Sequence, residues 1–580
     1  MKKLSLLWMA LLVLAGGANA EWMFQNATDH LATRPLNAST VAWGDVDNDG
    51  DPDLFVGGGS NASVLYVNDG RHLADATEVY GLATLNTRYV YSAQFVDFDQ
   101  DGYPDLFLLT DDAQGFRLFR QLSNRRFAAV ATTVEITFLA RIRSAAWVDV
   151  DGDGRLDLIL SNGATQNSPP VVINNEDLEL VENRGSGFLQ ASAAVGAIAV
   201  EDYDRDGDAD VFLGGSLSQR PRLMRKEATG YQDWAESFGL PPMAGLNGAV
   251  WFDYNNDQQL DLYTPGNAES NCLMRGTATL GIHGLVPVAG TPSVPPPDEG
   301  PRFAHAVDGN MDGWTDLFIV KPEMPGCKLF TNEQGNRWND VTYDVGLNLA
   351  PPVTACAWAD WDGDGDPDLA LACGSNGVWL FQNNSDVAHE FIVVHPVSSA
   401  NQALLQGCTV WMQFEQAKAV GSTYPCTSAP GGDFCGVLLV NSSNYKSGRG
   451  NLLVRWPNGL ESQFTLSAAS LGTTVTVVQP APPEVERMPE SEPAAPPRLT
   501  VSPNPFNPTT TLSYTLAEAA DVELKVFNLM GQEVATLVSG PQAAGAHRIS
   551  FNGASLPSGL YLSRFTAGGR SSVSRLMLAK

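Results

Sequence analysis

The chain has 580 residues and a formal net charge of −30, with 65 acidic and 35 basic side chains. Its length predicts several domains rather than a single core. An acidic chain without basic clusters argues against nucleic-acid binding.

Residues 1–20 have the pattern of a secretory signal peptide. Lys2 and Lys3 precede an apolar stretch from Leu4 to Ala15, and Ala18-Asn19-Ala20 supplies a small-residue cleavage site. The apolar stretch is too short for a membrane span, and no later segment reaches about 18 apolar residues. We therefore expect a secreted chain, extracellular or attached to the outer cell surface, with no transmembrane segment after cleavage. An uncleaved anchor is the alternative.

An aspartate-rich loop of nine positions recurs seven times along the chain. The first copy reads DVDNDGDPD from Asp45, and successive copies begin 51 to 55 residues apart. The other copies begin at Asp97, Asp149, Asp202, Asp253, Asp308 and Asp360. A regular period of this size predicts a repeat architecture.

The loops have the donor pattern of a hard-cation site. Carboxylates or amides stand at positions 1, 3, 5 and 9, and glycine, which permits a sharp turn, usually stands at position 6. Calcium takes six to eight oxygen ligands, and its flexible geometry favours it here over magnesium. Solvated acidic turns are the alternative, but clustered carboxylates repel one another. The predicted ligands are Asp45, Asp47, Asp49 and Asp53; Asp97, Asp99, Asp101 and Asp105; Asp149, Asp151, Asp153 and Asp157; Asp202, Asp204, Asp206 and Asp210; Asp253, Asn255, Asp257 and Asp261; Asp308, Asn310, Asp312 and Asp316; and Asp360, Asp362, Asp364 and Asp368.

The seven predicted Ca²⁺ sites are not equivalent. Asn255 replaces an aspartate in the fifth loop, and Gln258 stands there in place of the glycine, so the site that begins at Asp253 should be the weakest. The loops are not EF-hands, which require a glutamate at position 12. That position is Val56 in the first loop and Leu108 in the second, within apolar runs typical of strands.

Each repeat contains four short strand patterns. In the first repeat they are Thr40–Trp43, Leu54–Val56, Val64–Val67 and Leu73–Thr77, with the aspartate loop between the first two. Four strands in one period predict a propeller blade, and seven blades predict a closed ring with few free edges.

Two features predict how the ring closes. Phe24–Thr28 resembles the fourth-strand pattern but precedes the first loop, so we expect it to complete the seventh blade. An aromatic residue stands two positions before the first aspartate in most copies, and we expect these rings to pack between blades. They are Trp43, Phe95, Trp147, Trp251 and Trp358.

Three further segments follow the repeats. Residues 387–478 have β-like character and form a predicted small β module. Residues 479–498 are a proline- and glutamate-rich linker. Residues 499–580 alternate strand and turn patterns, which predicts a β-sandwich. The expected fold is therefore all-β: a seven-bladed propeller over 21–386, a small β module and a C-terminal β-sandwich.

The repeats resemble the FG-GAP/VCBS repeats of integrin-α-type propellers over residues 21–386. The resemblance implies that each loop joins the first two strands of a blade and lies on the lower face. Partners of such propellers usually bind the opposite face, which here would carry loops such as Ser60–Ala62 and Thr110–Asp112.

The C-terminal segments resemble two further families. Residues 387–478 are similar, through Trp456–Gly459, to the ASPIC/UnbV module of cartilage-acidic-protein-like chains. Residues 499–580 resemble a type IX secretion sorting domain (type A), through Ser502–Pro508 and Leu556–Tyr561. The second resemblance implies that residues 499–580 engage the type IX secretion machinery, and that the tail is then removed. An ordinary terminal stalk is the alternative.

Cysteine and histidine positions suggest no catalytic site. The pairing of the seven cysteines stays open, although Cys356 and Cys373 could face each other across a hairpin. None of the seven histidines lies in a known catalytic motif. His305 is expected to be a packing residue on an inner strand. We predict no catalytic residues, no organic cofactor and no enzyme activity.

The predicted function is a secreted or cell-surface calcium-binding propeller that acts as a binding or adhesion module for an extracellular protein or glycan. Two alternatives remain. One is a polysaccharide-processing propeller enzyme, and the other is a structural surface-coat protein without a discrete ligand.

Overall fold

The structure is a computed structural model. It describes residues 22–580, except for 33–36, 59–62, 84, 86–88, 112–114, 131–143, 154, 162–169, 177–178, 184–194, 207, 216–219, 228–229, 239, 242–247, 258, 267–270, 280–281, 289–302, 322, 386–391, 398–408, 415–437, 440–448, 457–460, 468–472, 479–498, 505, 517–518, 529–532 and 568–569. The predicted signal peptide (1–20) and linker (479–498) lie outside the described residues. The chain divides into two compact units, Met1–Ala481 and Pro482–Lys580.

The described residues are all-β, which confirms the predicted fold class. Within the described part of the chain, two short 3₁₀ helices, Thr28–His30 and Leu347–Leu349, interrupt the strands. Seven four-stranded antiparallel sheets, which we call blades 1 to 7, occupy residues 24–383. They are β2–β5 (Ala38–Gly44, Asp53–Gly58, Val64–Asn68, Leu73–Asp75), β6–β9 (Val90–Val96, Asp105–Thr110, Phe116–Gln121, Phe127–Ala129), β10–β13 (Ala145–Val148, Asp157–Leu160, Val171–Glu176, Glu179–Glu182), β14–β17 (Val195–Glu201, Asp210–Gly215, Arg222–Glu227, Gly230–Asp233), β18–β21 (Val250–Phe252, Asp261–Thr264, Cys272–Thr279, Ile282–Pro287), β22–β25 (Phe303–Val307, Asp316–Val320, Cys327–Glu333, Arg337–Asp340) and β26–β28 (Ala355–Ala359, Asp368–Ala372, Val378–Asn383) completed by β1 (Phe24–Asn26).

Burial decreases from the inner strands of a blade to its outer strand. In blade 1, β2 and β3 are buried along their whole length, whereas β5 is exposed at two of its three residues. Continuous apolar runs such as Leu54-Phe55-Val56 fit strands that are covered on both faces. Each blade therefore buries its faces against its neighbours, and the aspartate loop joins its first two strands.

The N-terminal strand closes the ring as predicted. β1 pairs antiparallel with β28, with Phe24 opposite Asn383. The Phe24 ring is buried, and its centroid lies 5.9 Å from that of Trp358. The backbone N–H of Phe24 also donates to the Val345 carbonyl at 2.9 Å.

Aromatic rings pack between neighbouring blades, which confirms a second prediction. Trp43 Nε1 of blade 1 donates to the Ala357 carbonyl of blade 7 at 3.3 Å. Trp251 Nε1 donates to the Ala199 carbonyl of blade 4 at 3.5 Å. A β-carbon at Gly44 would lie 2.5 Å from the Phe95 ring, so blades 1 and 2 approach closely there.

The cysteines that the structure describes in the propeller are not joined in disulfides. Cys356 lies opposite Leu371 in the strand register, so it does not face Cys373 across the hairpin. Cys272 and Cys327 likewise form no disulfide, whereas Cys408, Cys426 and Cys435 lie outside the described residues. His305 is 1% exposed and packs against the Phe303 ring, the packing role that its sequence context predicts.

A small β module follows the blades in the first unit. Its strands are β29 (Ile392–Val397), β30 (Thr409–Phe414), β31 (Leu438–Leu439), β32 (Arg449–Arg455), β33 (Glu461–Ser467) and β34 (Thr473–Val478). They form two three-stranded sheets, ordered β31-β29-β34 and β30-β32-β33, and β29 runs parallel to β34. Trp456, from the sequence motif, is buried, and its Nε1 donates to Ser462 Oγ at 2.8 Å.

The second unit is a β-sandwich. Its strands are β35 (Thr500–Ser502), β36 (Thr509–Leu516), β37 (Ala520–Phe527), β38 (Glu533–Gln542), β39 (Gly545–Asn552), β40 (Gly559–Ala567) and β41 (Arg570–Leu578). Two sheets, β35-β36-β39 and β38-β37-β40-β41, enclose a core that includes Leu512, Leu524 and Phe565. The Phe506 N–H donates to the Met577 carbonyl at 2.9 Å, and the Met577 N–H donates to Asn504 Oδ1 at 2.8 Å, so Asn504 and Phe506 lie beside the last strand.

Ring closure by β1 gives a direct stability prediction. Phe24→Ala should lower the free energy of unfolding of the propeller by about 3–5 kcal/mol, because it leaves a cavity against Trp358. Urea denaturation of the full chain, followed by tryptophan fluorescence, measures the change. Gln25→Ala, at an exposed position of the same strand, is the control and should be near neutral. Equal midpoints for the two variants would contradict closure by this strand.

Candidate metal loops

The seven aspartate loops, which we call loops 1 to 7 after their blades, share one backbone conformation. Position 4 has a positive φ, between 53° and 81°, in every loop. These residues are Asn48, Gln100, Gly152, Arg205, Asn256, Met311 and Gly363. The described glycines at position 6, such as Gly50 at 99°, are also left-handed. The loop therefore turns sharply at two places, and glycine is used at only some of them.

The aspartate at position 1 fixes this turn. Its Oδ1 accepts the backbone N–H of position 5 at 3.0–3.2 Å in all seven loops. The carboxylate of position 5 accepts the N–H of position 7 at 2.9–3.3 Å. The loop is thus preformed by side-chain to backbone hydrogen bonds of the kind that aspartate favours in turns.

The aspartate at position 9 joins the loop to its own sheet. Its Oδ1 accepts the N–H of a third-strand residue at 2.6–2.8 Å in every blade. In blades 1, 2, 3, 5, 6 and 7 its Oδ2 also accepts the N–H of position 2. All seven of these side chains belong to fully buried residues at 0% exposure. The aspartate at position 9 therefore has a structural role. Its prediction as a metal ligand did not suggest this role.

Amide side chains link each of several loops to the loop before it. The Asn68 side chain donates to the Trp361 carbonyl of loop 7 at 2.6 Å, and Gln121 donates to the Val46 carbonyl of loop 1 at 2.8 Å. Equivalent bonds are made by Asn175, Asn332 and Asn383 to the carbonyls of Phe98, Tyr254 and Gly309. We call Asn68, Gln121, Asn175, Asn332 and Asn383 the clasp residues. They bring consecutive loops together on one face of the ring.

The equivalent position differs in blades 4 and 5. In blade 4 it is Lys226, whose Nζ donates to the Asp149 carbonyl of loop 3 at 3.0 Å. In blade 5 it is Gly276, where a β-carbon would lie 2.3 Å from the Leu260 carbonyl oxygen. The junction between blades 4 and 5 therefore lacks a side-chain link at this position.

Five loops bring three carboxylates together. One oxygen from each member lies within 4.8 Å of the others in five groups: Asp45, Asp47 and Asp53; Asp97, Asp99 and Asp101; Asp149, Asp151 and Asp157; Asp202, Asp204 and Asp206; and Asp360, Asp362 and Asp368. Several of the predicted aspartate sets can therefore hold a metal ion. Among the described residues, loops 5 and 6 form no such group. There the amides of Asn255 and Asn310 donate to Asp257 and Asp312 at 3.1 and 3.0 Å.

The electrostatics of these groups favour added positive charge. Burial, together with neighbouring carboxylates, raises the pKa of Asp45 to about 6 and that of Asp53 to about 8. Asp47 Oδ1 is buried and has no hydrogen-bond donor among the described residues. Arginines also approach loops 1 to 4. In loops 1 and 3, Arg125 lies 3.4 Å from Asp47 Oδ2, and Arg155 lies 2.5 Å from Asp153 Oδ2. A buried oxygen without a hydrogen-bond donor can accept a cation, and Asp99 Oδ2 of loop 2 and Asp204 Oδ2 of loop 4 share this property among the described residues.

The chain matches two families in comparisons with known proteins. Residues 45–108, 97–160, 202–264 and 308–371 match the FG-GAP-like repeat, and residues 500–579 match a secretion system C-terminal sorting domain. The predicted FG-GAP and type IX sorting resemblances are therefore confirmed. The sorting domain directs the chain to secretion and the cell surface. Among the residues that the structure describes, none forms a helix with the length and apolar character needed to cross a membrane.

Two curated relatives span most of the chain. Cartilage acidic protein 1 of Xenopus tropicalis is 21% identical over 80% of this chain and 78% of its own length. Cartilage acidic protein 1 of Mus musculus is 24% identical over 82% of this chain and 79% of its own length. The solved Dos1 propeller is 10% identical, with a TM-score of 0.31, over 59% of this chain and 81% of that structure. The predicted likeness to cartilage-acidic-protein-like chains is confirmed.

The clasp residues give a prediction at the junction of blades 7 and 1. Asn68→Ala should lower the free energy of unfolding by about 1–3 kcal/mol, because it leaves the buried carbonyls of Trp361 and Pro52 without a donor. Chemical denaturation in the presence of calcium measures the loss. Asn124→Ala, at an exposed turn position, is the control. A loss no larger than that of the control would show that the clasp bond contributes nothing.

Proposed function

We propose that this chain, which carries FG-GAP-like repeats and a sorting domain for secretion, is a calcium-stabilised propeller that binds an extracellular protein or glycan. The observation that carries the proposal is the convergence of three carboxylate oxygens within 4.8 Å in loops that backbone hydrogen bonds have already shaped. A bound divalent ion would neutralise the carboxylates and crosslink the two turns of the loop.

The proposed domains keep the boundaries that the sequence predicts. We assign residues 21–386 to the propeller, 387–478 to the ASPIC/UnbV-like module, 479–498 to a linker and 499–580 to the sorting domain. The strands of the propeller end at Asn383, and the first strand of the sandwich begins at Thr500. Residues 1–20 would be removed as a signal peptide.

Calcium fits these loops better than magnesium. Each loop offers carboxylate or amide oxygens at positions 1, 3 and 5 and the carbonyl of position 7, whose side chain varies freely. Ca²⁺ accepts such mixed and flexible oxygen sets, whereas Mg²⁺ requires near-ideal octahedral geometry. Extracellular modules bind calcium with dissociation constants of about 10⁻⁴–10⁻³ M, which suits an exported chain. We propose that at most seven sites are occupied, and that loop 5 has the weakest set of ligands because of Asn255 and Gln258.

A binding role fits this arrangement better than catalysis. The position-9 aspartates are held by two backbone N–H groups in most blades, so they are poorly placed to exchange protons with a substrate. The opposite face of the ring is free of these loops. There the Tyr89 and Tyr91 rings lie 4.9 Å apart at the start of β6, and Tyr91 is 42% exposed. Paired tyrosines are typical of recognition surfaces because they combine apolar area with a polar tip.

Calcium dependence is testable through stability. Chelation with EGTA should lower the melting temperature, since a ligand at 100 times its dissociation constant stabilises by about 2.7 kcal/mol for each site. Asp47→Asn, which removes one ligand charge from loop 1 without changing its size, should reduce the calcium-induced shift. Glu78→Gln, at an exposed carboxylate outside the loops, should leave it unchanged. A melting curve that ignores both EGTA and calcium would refute the calcium proposal.

Binding is testable with a screen of glycans and extracellular-matrix proteins in calcium and in EGTA. We expect calcium-dependent binding without turnover. Replacing Tyr89 and Tyr91 by alanine should lower the affinity for a ligand that binds the opposite face by at least about tenfold. This is the size of effect expected at an interface hot spot. Tyr343→Ala, at a 77% exposed ring beyond the outer strand β25, is the control. Depolymerisation of a polysaccharide in the same screen would instead favour an enzyme.

A further inference from the structure

Loops 2 and 4 differ from the others because a single arginine spans two of their aspartates. In blade 2, Arg120 Nε pairs with Asp99, and Arg120 Nη2 lies 2.9 Å from Asp101 Oδ2. In blade 4, Arg225 Nε lies 2.6 Å from Asp204 Oδ2, and Nη2 lies 3.6 Å from Asp206 Oδ2. In each case the guanidinium reaches the aspartates at positions 3 and 5.

The two arginines occupy the same place in their blades. Each immediately precedes the third-strand residue whose N–H donates to position 9, which is Gln121 in blade 2 and Lys226 in blade 4. The corresponding residues elsewhere are Val67, Asn174, Arg275, Thr331 and Gln382. Arg275 belongs to blade 5, where Asn255 at position 3 leaves no pair of carboxylates to span. The arrangement thus arises at one structural position rather than from scattered surface contacts.

The carboxylate groups of these two loops also differ in composition. In loops 2 and 4 the converging side chains are those of positions 1, 3 and 5, and the aspartate of position 9 is not a member. In loops 1, 3 and 7 the group is formed by positions 1, 3 and 9. The aspartates that meet Arg120 and Arg225 are therefore the same ones that would have to meet a metal ion.

The position-3 carboxylates are buried beneath the guanidinium groups. The side chains of Asp99 and Asp204 are 0% and 1% exposed, so their charges need compensation within the protein. An arginine remains charged at all physiological pH values and presents several donors in a plane, which matches paired carboxylates. Among the ion pairs of the described residues, Arg125 meets Asp47 of loop 1 and Arg155 meets Asp153 of loop 3, each from one side.

We infer that Arg120 and Arg225 act as built-in counter-cations of loops 2 and 4, so that these loops keep their shape with little or no calcium. Loops 1, 3 and 7 form three-carboxylate groups in which no pair of aspartates is spanned by an arginine of the described residues, and they are then the tight calcium sites. A divalent ion in loop 2 or 4 would have to displace the guanidinium and would be repelled by it. This inference rests on the proposed calcium role and specifies how that role is distributed among the blades.

Calcium titration of the full chain by calorimetry tests the inference. The double variant R120M/R225M keeps much of the apolar length of each side chain but removes its charge. We expect it to gain two calcium sites that are 10–100-fold tighter than the same loops in the wild type, which is the usual size of effects from groups adjacent to metal ligands. In EGTA the variant should melt at a lower temperature than the wild type, and calcium should restore the loss.

A local signal and two controls accompany the titration. Tyr203 directly follows Asp202 in loop 4, so terbium luminescence sensitised by this ring should increase in R225M. R222M removes an equal charge from the same strand, but Arg222 pairs with Asp233 at 3.4 Å, away from loop 4; it should change neither signal. If R120M/R225M does not fold in EGTA, R120K/R225K keeps the charge without the planar donors and should show an intermediate gain in affinity.

The outcomes separate this inference from the proposed function. Calcium binding by the wild type, with no gain in the variants beyond R222M, would overturn the inference and leave the calcium role intact. Seven equally tight sites in the wild type would also overturn it. Two new sites in a variant whose parent binds no calcium would support the counter-cation role of the two arginines, but would overturn the proposed calcium role and, with it, the assignment of loops 1, 3 and 7 as calcium sites.

Discussion

A buried aspartate that accepts backbone N–H groups from two parts of its blade is the constraint on which the propeller depends. The position-9 carboxylate, such as Asp53, receives one hydrogen bond from the third strand and one from the start of its own loop. Because a buried carboxylate without donors is costly, the loop and the strands must keep this arrangement together. The repeat then places all seven loops on one face, where the clasp residues join most neighbours.

The same burial creates an excess of negative charge that the protein must compensate. Burial raises the pKa of Asp105 and Asp210 to about 9, which reflects how poorly their charged forms are accommodated. Backbone N–H groups supply part of the compensation in every loop. The remainder comes from arginine side chains in some blades and, as we propose, from calcium in others. An exported chain can rely on the second source, because its compartment lies outside the low-calcium cytoplasm.

Much of the fold could be predicted from the sequence, since the period, the strand patterns and the aromatic positions all follow the repeat. The closing strand was also recognisable, because Phe24–Asn26 copies the outer-strand pattern. The left-handed backbone conformation at position 4 could not be recognised from the sequence, because Asn48, Arg205 and Met311 share no side-chain property. Their conformation is imposed by the hydrogen bonds of position 1. The clasp residues follow position 9 by 15 to 18 residues, so an alignment of the repeats could have found them.

The arginine contacts could not be predicted, because they depend on which third-strand side chain lies over a loop. The sequence assigned the side chains of all seven loops to cations and distinguished the sites only by asparagine at position 3 and by Gln258 in place of glycine. It therefore ranked loop 5 as the weakest and treated loops 2 and 4 as equal to the rest. Pairing across strands supplies this missing information, since Arg120 is 19 residues from Asp101.

Closure by β1 also bears on the order in which the protein can assemble. The last sheet pairs Phe24 with Asn383. A chain that emerges with its N-terminus first therefore forms an open arc of blades before the ring can close. Until residue 383 arrives, that arc has unpaired strand edges, and such edges readily recruit strands from other molecules. The long separation adds only a modest entropic cost, because closure entropy grows slowly with length. The arc is therefore a transient hazard of aggregation, most acute while the chain is incompletely translocated.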